Sequence, residues 1–311
     1  MRLHNVSGLM RSLPMLLLIG VACSASAQES SVKTFPTYRA AVTAFIAAIR
    51  ANDQEALKQI LGDRERELLL SGNADQDENA RIKFLERYDQ AHAVLRQGPD
   101  KVTLTVGPSA WPVPFPIVRA DGVWHVDATA GAQEIAYRRI GHNELDAIRV
   151  CRALYTAQKQ YAAKSHDGIA AGAYAQRFRS EPGTENGLYW EVKEDELQSP
   201  AGSLVAEATT EGNDAAKQSG KPTPFHGYLY RILKAQGSHG RGGAKDYVVD
   251  GKMTTGFAFV AYPAEYGSSG VMTFIVGPGG VVYQKDLGDT TEQAAKSMTA
   301  FDPDSTWKVA R

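Results

Sequence analysis

The residues of this chain that could do chemistry are few and scattered. Cys151 is a candidate nucleophile, since a thiolate near a cation is reactive. It falls on an apolar stripe with Ile148 and Leu154, where a thiol is a buried, inert core residue. His142, His166, His226 and His239 do not form the helical His-pair with an intervening Glu that zinc hydrolysis uses. His226 stands out because it opens a strand beside Tyr228, where it can contact a ligand or accept a proton. Gly237-Ser238-His239-Gly240-Arg241-Gly242-Gly243 offers backbone amides and Arg241 to an anion. No strand–loop–helix setting and no closing Lys-Ser/Thr accompany it, so a hairpin loop is the simpler reading. Gly267-Ser268-Ser269-Gly270 lacks the spacing of a hydrolase elbow and reads as a turn.

Acidic groups are equally unspecific. Asp286, Asp289, Asp302 and Asp304 could gather around calcium, but they lack a twelve-residue loop pattern and read as turn and cap residues. Glu134, Glu144 and Asp146 could serve as acid or base only with a partner that the sequence does not place. Aromatic residues carry the stronger signal. Tyr189, Trp190, Tyr228, Tyr230, Tyr247, Tyr262 and Tyr266 crowd the second half, and Tyr and Trp in loops build binding surfaces as well as cores. The expected ligand or partner contacts are therefore Tyr189, Trp190, His226, Tyr228 and Arg241. No metal site and no cofactor is expected, and no catalytic residue is assigned.

These residues must be positioned by two modules. In the first, Tyr38, Val42, Phe45, Ile46 and Ile49 recur at helical spacing over 34–51, and Asp53 caps a second helix ending at Leu61-Gly62. A polar stretch over 71–78 precedes a third helix with Leu85, Tyr88, His92 and Leu95 on one face. Val102, Leu104 and Val106 then alternate as a strand, and 113–119 and 123–127 form a hairpin about Asp121-Gly122. Pro112, Pro114 and Pro116 cannot donate to a ladder, which puts 111–116 at an edge or bulge. In the second module, 131–141 is a linker, and Asn143 caps a long helix over 143–164 whose stripe is Ala147, Ile148, Cys151, Leu154, Tyr155 and Tyr161. A further helical turn or two is expected over 173–178, and 181–220 is irregular. Strands are expected over 226–233, 257–262, 271–276 and 281–285, the last two joined by Gly277-Pro278-Gly279-Gly280. Thr290 and Gln293 offer a capping box for a final helix through Met298.

The fold class is α+β: N-terminal helices with a small antiparallel sheet over 34–131, then a long helix packed on an antiparallel meander over 138–307. The N-terminus reads as a secretory signal over 1–27, with Arg2, Arg11, the apolar run Leu13 to Ala22, and Ala25-Ser26-Ala27 as the cleavage site. Cleavage leaves about 284 residues. Lipidation at Cys23 is the alternative. A periplasmic or secreted location follows, with Cys151 the sole remaining cysteine and hence no internal disulfide. A net charge of −1 gives no bulk attraction to nucleic acid or anionic membranes, and no segment after the signal is apolar enough to span a bilayer.

The sequence words WPVPFPIV, RRIGHNEL, AQKQYA, GLYW, HGYLYRIL, GFAFVAYPAEYG, GVMTFIV and DLG together resemble a bacterial exported family known as domain of unknown function 2950, over about 36–307. That resemblance implies no activity. Its members often carry an Asp-Gly-Asp-Gly-like turn after the long helix, and this chain has His166-Asp167-Gly168-Ile169, with fewer acidic groups. The order of the first module is similar to the nuclear-transport-factor-2-like cone. The second half resembles a pseudopilin head, although Arg149 and Arg152 on a mid-chain helix disfavour a filament subunit. The expected role is a non-enzymatic binding or scaffold module of the envelope, taking an envelope protein or a small ligand. The alternative is a periplasmic hydrolase or a small-ligand-binding protein, with a pocket between modules or in a cone gated by Trp111 and Trp124.

Overall fold

A computed structural model describes residues 32–193, 197–210 and 223–311. The signal segment and Cys23 lie outside the described residues. The chain divides into two compact units. The described part of the first comprises 32–111 and Ile117–Ala128; the second comprises Pro112–Pro116 and Thr129–Arg311.

The first unit begins with α1 (Tyr38–Ala51), α2 (Gln54–Leu61), α3 (Glu65–Leu69) and α4 (Ala74–Gln90). Each main helix starts where a side-chain oxygen accepts an otherwise unpaired amide: Thr37 from Ala40, Asp53 from Ala56 and Asn73 from Gln76. Arg81 donates to the carbonyls of Ile49 and Arg50, so the open end of α1 is closed by a guanidinium from α4. An antiparallel sheet follows, formed by β1 (His92–Arg96), β2 (Lys101–Val106), β4 (Ile117–Ala120) and β5 (Val123–Val126), in the order β1-β2-β4-β5, with the short β3 (Trp111–Pro112) beside β2. Asp121-Gly122 turns β4 into β5 with φ of 51° and 81°, the left-handed pair of a type I′ hairpin. Phe45, Ile46, Ile60, Leu61, Val102, Leu104, Val106, Ile117 and Val126 fill the core. Trp124 is buried with them, edge-on to Tyr38 at 5.5 Å, and Trp111 is exposed.

In the second unit, α5 (Ala128–Ala162) runs for 35 residues, which is about 52 Å at 1.5 Å per residue. The expected linker over 131–141 is helical. Gly131 and Gly141 suggested a break, but Gly131 has a packing reason: a Cβ there would lie 2.3 Å from the Phe115 ring. Asn143 is therefore inside the helix and caps nothing, and its side-chain amide donates to Ser269 O. The meander is present, with β6 (Tyr228–Leu233), β11 (Ala258–Pro263), β12 (Met272–Val276), β13 (Val282–Asp286) and β15 (Lys308–Val309) in the antiparallel order β15-β13-β12-β11-β6. Between them, β7 (Ala235–Gln236) and β8 (Lys245–Asp246) form a hairpin, β9 (Val248–Val249) and β10 (Lys252–Met253) another, and β14 (Ala300–Phe301) joins β7 in parallel. Every residue of β11 is buried, as its unbroken apolar run Ala258-Phe259-Val260-Ala261-Tyr262-Pro263 requires. One core holds Ile148, Cys151, Leu154 and Tyr161 of α5 together with Phe259, Phe274 and Ile275 of the sheet, which establishes the α+β helix-on-meander arrangement.

Further local expectations differ. His92 and Leu95, expected on one face of the third helix, lie in β1, because α4 ends at Gln90 and the chain then pairs with β2. The stretch 173–178 is not helical: Tyr174 N donates to Met253 O, Ala175 is held on both sides by Gln158, and 176–178 bend away. Thr290 precedes α7 (Thr291–Ser297) without a side-chain cap, and its hydroxyl donates back to Leu287 O. The irregular segment also contains a helix, α6 (Gly202–Thr210).

Gln158 is fully buried and both ends of its amide are used: Nε2 donates to Ala175 O at 2.8 Å and Oε1 accepts from Ala175 N at 2.9 Å. Gln158→Leu keeps the bulk but strands a buried donor and a buried acceptor. We expect a loss of about 2–4 kcal/mol, from roughly 1–3 kcal/mol per buried unpaired group, read as a lower urea midpoint with an unchanged slope.

Candidate functional site

Four histidines of the second unit lie against carboxylates, His142, His166, His226 and His239, and two of them, His226 and His239, are held in opposite manners. His226 occupies the first central position of a tight turn in which Phe225 N donates to Tyr228 O and Tyr228 N to Phe225 O. Its φ of 49° and the 72° of Gly227 are the left-handed pair of a type I′ turn. A Cβ on Gly227 would lie 2.5 Å from Asn143 Nδ2, so the turn sits directly on α5. There Arg149 Nη2 is 3.1 Å from His226 Nε2. A guanidinium only donates, so Nε2 is the acceptor and the proton of the neutral ring is on Nδ1, 3.5 Å from Asp146 Oδ2. His142 Nε2 is 3.3 Å from the same oxygen, and Arg149 Nε is 3.4 Å from Oδ1. His226 and Asp146 are only 11% and 15% exposed. The Nε2 lone pair is taken by Arg149, so this imidazole ties the turn to the helix and offers no accessible base. Beneath it, Tyr228 is fully buried and donates to Met272 O, and burial raises its phenol well above the usual range.

His239 is arranged for access. Its ring Nδ1 lies 3.0 Å from Asp302 Oδ1, and its backbone N donates to the same oxygen at 2.8 Å. The carboxylate accepts, so Nδ1 carries a proton, and in the neutral ring the lone pair is on Nε2, on a side chain that is 54% exposed. Glycine makes this approach possible: a Cβ at Gly237 would lie 2.2 Å from Asp302 Cγ, and one at Gly240 would lie 2.3 Å from Gln236 Cγ. The buried Gln236 organises the rest of the loop. Its Nε2 donates to Arg241 O and Gly243 O, and its Oε1 accepts from the Tyr247 hydroxyl. The Arg241 side chain is exposed on the same loop. Internal partners also occupy the amides of an anion cradle: His239 N by Asp302, Gly240 N by Gly237 O and Gly243 N by Gly240 O.

Tyr189 and Trp190 lie elsewhere. Arg179 covers the Tyr189 ring at 4.7 Å, and Tyr189 N donates to Phe178 O. Trp190 is tilted against His166 at 5.5 Å, and His166 stacks on Tyr161 at 4.1 Å. His166 is buried, with Nε2 on Tyr161 O and Nδ1 2.7 Å from Glu185 Oε2, so that it fixes the 181–190 segment to the end of α5. Both aromatics are half-buried against the core and act first as packing. Tyr247 and Tyr262 are core residues too, so most of the aromatic crowding is interior. Of the five expected contact residues, Arg241 alone belongs to the His239 loop.

Asp286 and Asp304 serve as local caps, whereas Glu144 and Asp302 hold partners distant in the sequence. Asp286 accepts from the Tyr266 hydroxyl and Gly288 N, and Asp304 accepts from Thr306, whose donors hold its carboxyl below the usual range. Glu144 Oε1 takes the amides of Val271 and Met272. Among the described residues no group of three or more His, Cys, Asp or Glu is arranged to hold a metal ion. The pairing of His239 with Asp302, 63 residues apart, had no local signal beyond the cluster of glycines around the histidine.

Cys151 is fully buried, and burial pushes its thiol up to about 12. Iodoacetamide at pH 8 should leave Cys151 unmodified in the folded protein and alkylate it in denaturant. Mass spectrometry of the two samples checks this, and rapid labelling of the native chain would contradict the burial.

Comparison with known proteins places the chain at the family level. No curated protein matches it, and no solved structure does, the pseudopilin heads included. The model of one family matches residues 32–310, nearly the whole described span. The chain belongs to the family described as Protein of unknown function (DUF2950).

Proposed function

We propose that this is an exported envelope protein, periplasmic or secreted, whose role is to bind an envelope partner or small ligand at the glycine hairpin around His239. The single observation that carries the reading is the His239–Asp302 contact: glycines, a buried glutamine and a carboxylate from a distant strand end hold one accessible imidazole in one tautomer. Such a first contact supported by its own shell is how binding residues are held ready for a ligand. The export part rests on the N-terminal pattern of Arg2, Arg11, the apolar run and Ala25-Ser26-Ala27. No helix among the described residues is long and apolar enough to cross a membrane.

A hydrolytic reading is favoured by one feature of the same site. Asp302 orients the imidazole as a general base requires, with Nε2 bare.

Cell fractionation with N-terminal sequencing should find the mature chain outside the cytoplasm, beginning near Gln28. A cytoplasmic chain that retains Met1 would remove the export reading. Crosslinking in intact cells, with mass spectrometry of captured species, should give adducts that fall at least fivefold when His239→Ala and Arg241→Met are combined. Equal capture by the wild type and this variant would remove the hairpin as the binding site.

A further inference from the structure

We propose that His239 is a general base that hydrolyses small acyl esters, with Asp302 as its positioning residue; this rests on the hydrolytic reading of the hairpin. Three observations lead there. The Nδ1–H contact to Asp302 at 3.0 Å fixes the tautomer and leaves Nε2 as a lone pair on an exposed side chain. The same carboxylate oxygen takes His239 N at 2.8 Å, so backbone and ring are aimed by one anchor. An exposed cation, Arg241, lies two residues on, its carbonyl fixed by Gln236 at 3.0 Å.

By contrast, His226 has its Nε2 lone pair covered by Arg149, and His166 is buried with both ring nitrogens on protein acceptors. Of these three, His239 alone presents a base that a substrate can reach; His142 is exposed too, but its contact to Asp146 is longer, at 3.3 Å, and goes to an oxygen that also faces His226.

The step balances without any further reactant. A water molecule hydrogen-bonded to Nε2 gives its proton to the imidazole as its oxygen bonds to the acyl carbon. Asp302 stabilises the imidazolium through Nδ1–H, and Arg241 meets the developing oxyanion. Collapse breaks the bond between the acyl carbon and the alkoxide, which takes the proton back from Nε2. An acid and an alcohol leave, and nothing is oxidised or reduced. Magnitude selects the substrate class. General-base assistance is worth roughly 10²–10⁴-fold, enough for an ester and far short of what an amide needs. Among the described residues the hydrogen bonds of His239 all go to Asp302 and none to a hydroxyl or thiol, so water is the attacking group. Attack by Nε2 itself would give an acyl-imidazole, and a burst of p-nitrophenolate followed by slow turnover would overturn the general-base assignment.

The test uses the full mature chain and p-nitrophenyl acetate. The wild type should turn over the ester, and His239→Ala should lose about 100-fold in kcat, at the low end of general-base assistance. Added imidazole should raise the His239→Ala rate above the sum of the variant's own rate and the rate of imidazole without protein, a gain that the wild type does not show and that a structural role would not allow. Asp302→Asn should lower kcat about tenfold with KM within twofold. His125→Gln, on β5 of the first unit, should leave the rate unchanged. Equal rates for the wild type and His239→Ala, absence of imidazole rescue, or an Asp302→Asn effect confined to KM would each overturn the proposal. Should His239→Ala fail to fold, carbethoxylation of His239 in the wild type and its reversal by hydroxylamine answer the same question: the rate must fall and return with the label. Absent turnover with intact crosslinking overturns the hydrolytic proposal and leaves the binding reading standing.

Discussion

A buried backbone group must be paired, and in the second unit much of the backbone has no ladder to pair with. The polar side chains of α5 supply those partners. Gln158 acts as a one-residue strand for Ala175. Asn143 takes Ser269 O, and Glu144 takes two successive amides at the entry to β12. These residues stand on the same helix that contributes Ile148, Cys151 and Leu154 to the core. One rigid element thus packs the sheet with its apolar stripe and satisfies the irregular segments with its amides and carboxylate. Without that pairing, each stranded group would cost about 1–3 kcal/mol, a large fraction of a domain's stability.

Tight turns carry the second half of the design. Asp121-Gly122, Asp167-Gly168 and Asp250-Gly251 all have the left-handed pair of φ values, and so does His226-Gly227. Three use Asp, whose short side chain tolerates this backbone; the fourth uses His. The exception is explained by what lies below it, since an imidazole reaches Arg149 and Asp146 where a carboxylate at that position would meet another carboxylate.

Much of the fold was legible in the sequence because it depends on local signals. The caps Asp53 and Asp121-Gly122, the alternation of Val102, Leu104 and Val106, and the glycine turn before β13 each act within a few residues, and each is found in place. Two of the failures have a common cause. Gly131 looked like a linker because the ring it accommodates, Phe115, comes from another part of the chain. The stretch 173–178 looked helical because Gln158 and Met253, which hold Ala175 and Tyr174 out of a helix, are distant in sequence. The site follows the same rule: His239, Arg241 and Asp302 each stand apart in the sequence, and their grouping is set by β7 pairing with both β8 and β14.

The hydrogen bonds of Gln236 have a consequence for kinetics. With Arg241 O, Gly243 O and the Tyr247 hydroxyl all tied to one buried amide, the hairpin loses its conformational entropy when the chain folds, before any encounter. A molecule arriving at His239 meets a surface already in its final shape. On the proposed binding role, association there would be a rigid-body event, and differences in affinity among ligands would show up in how long they stay, not in how quickly they arrive.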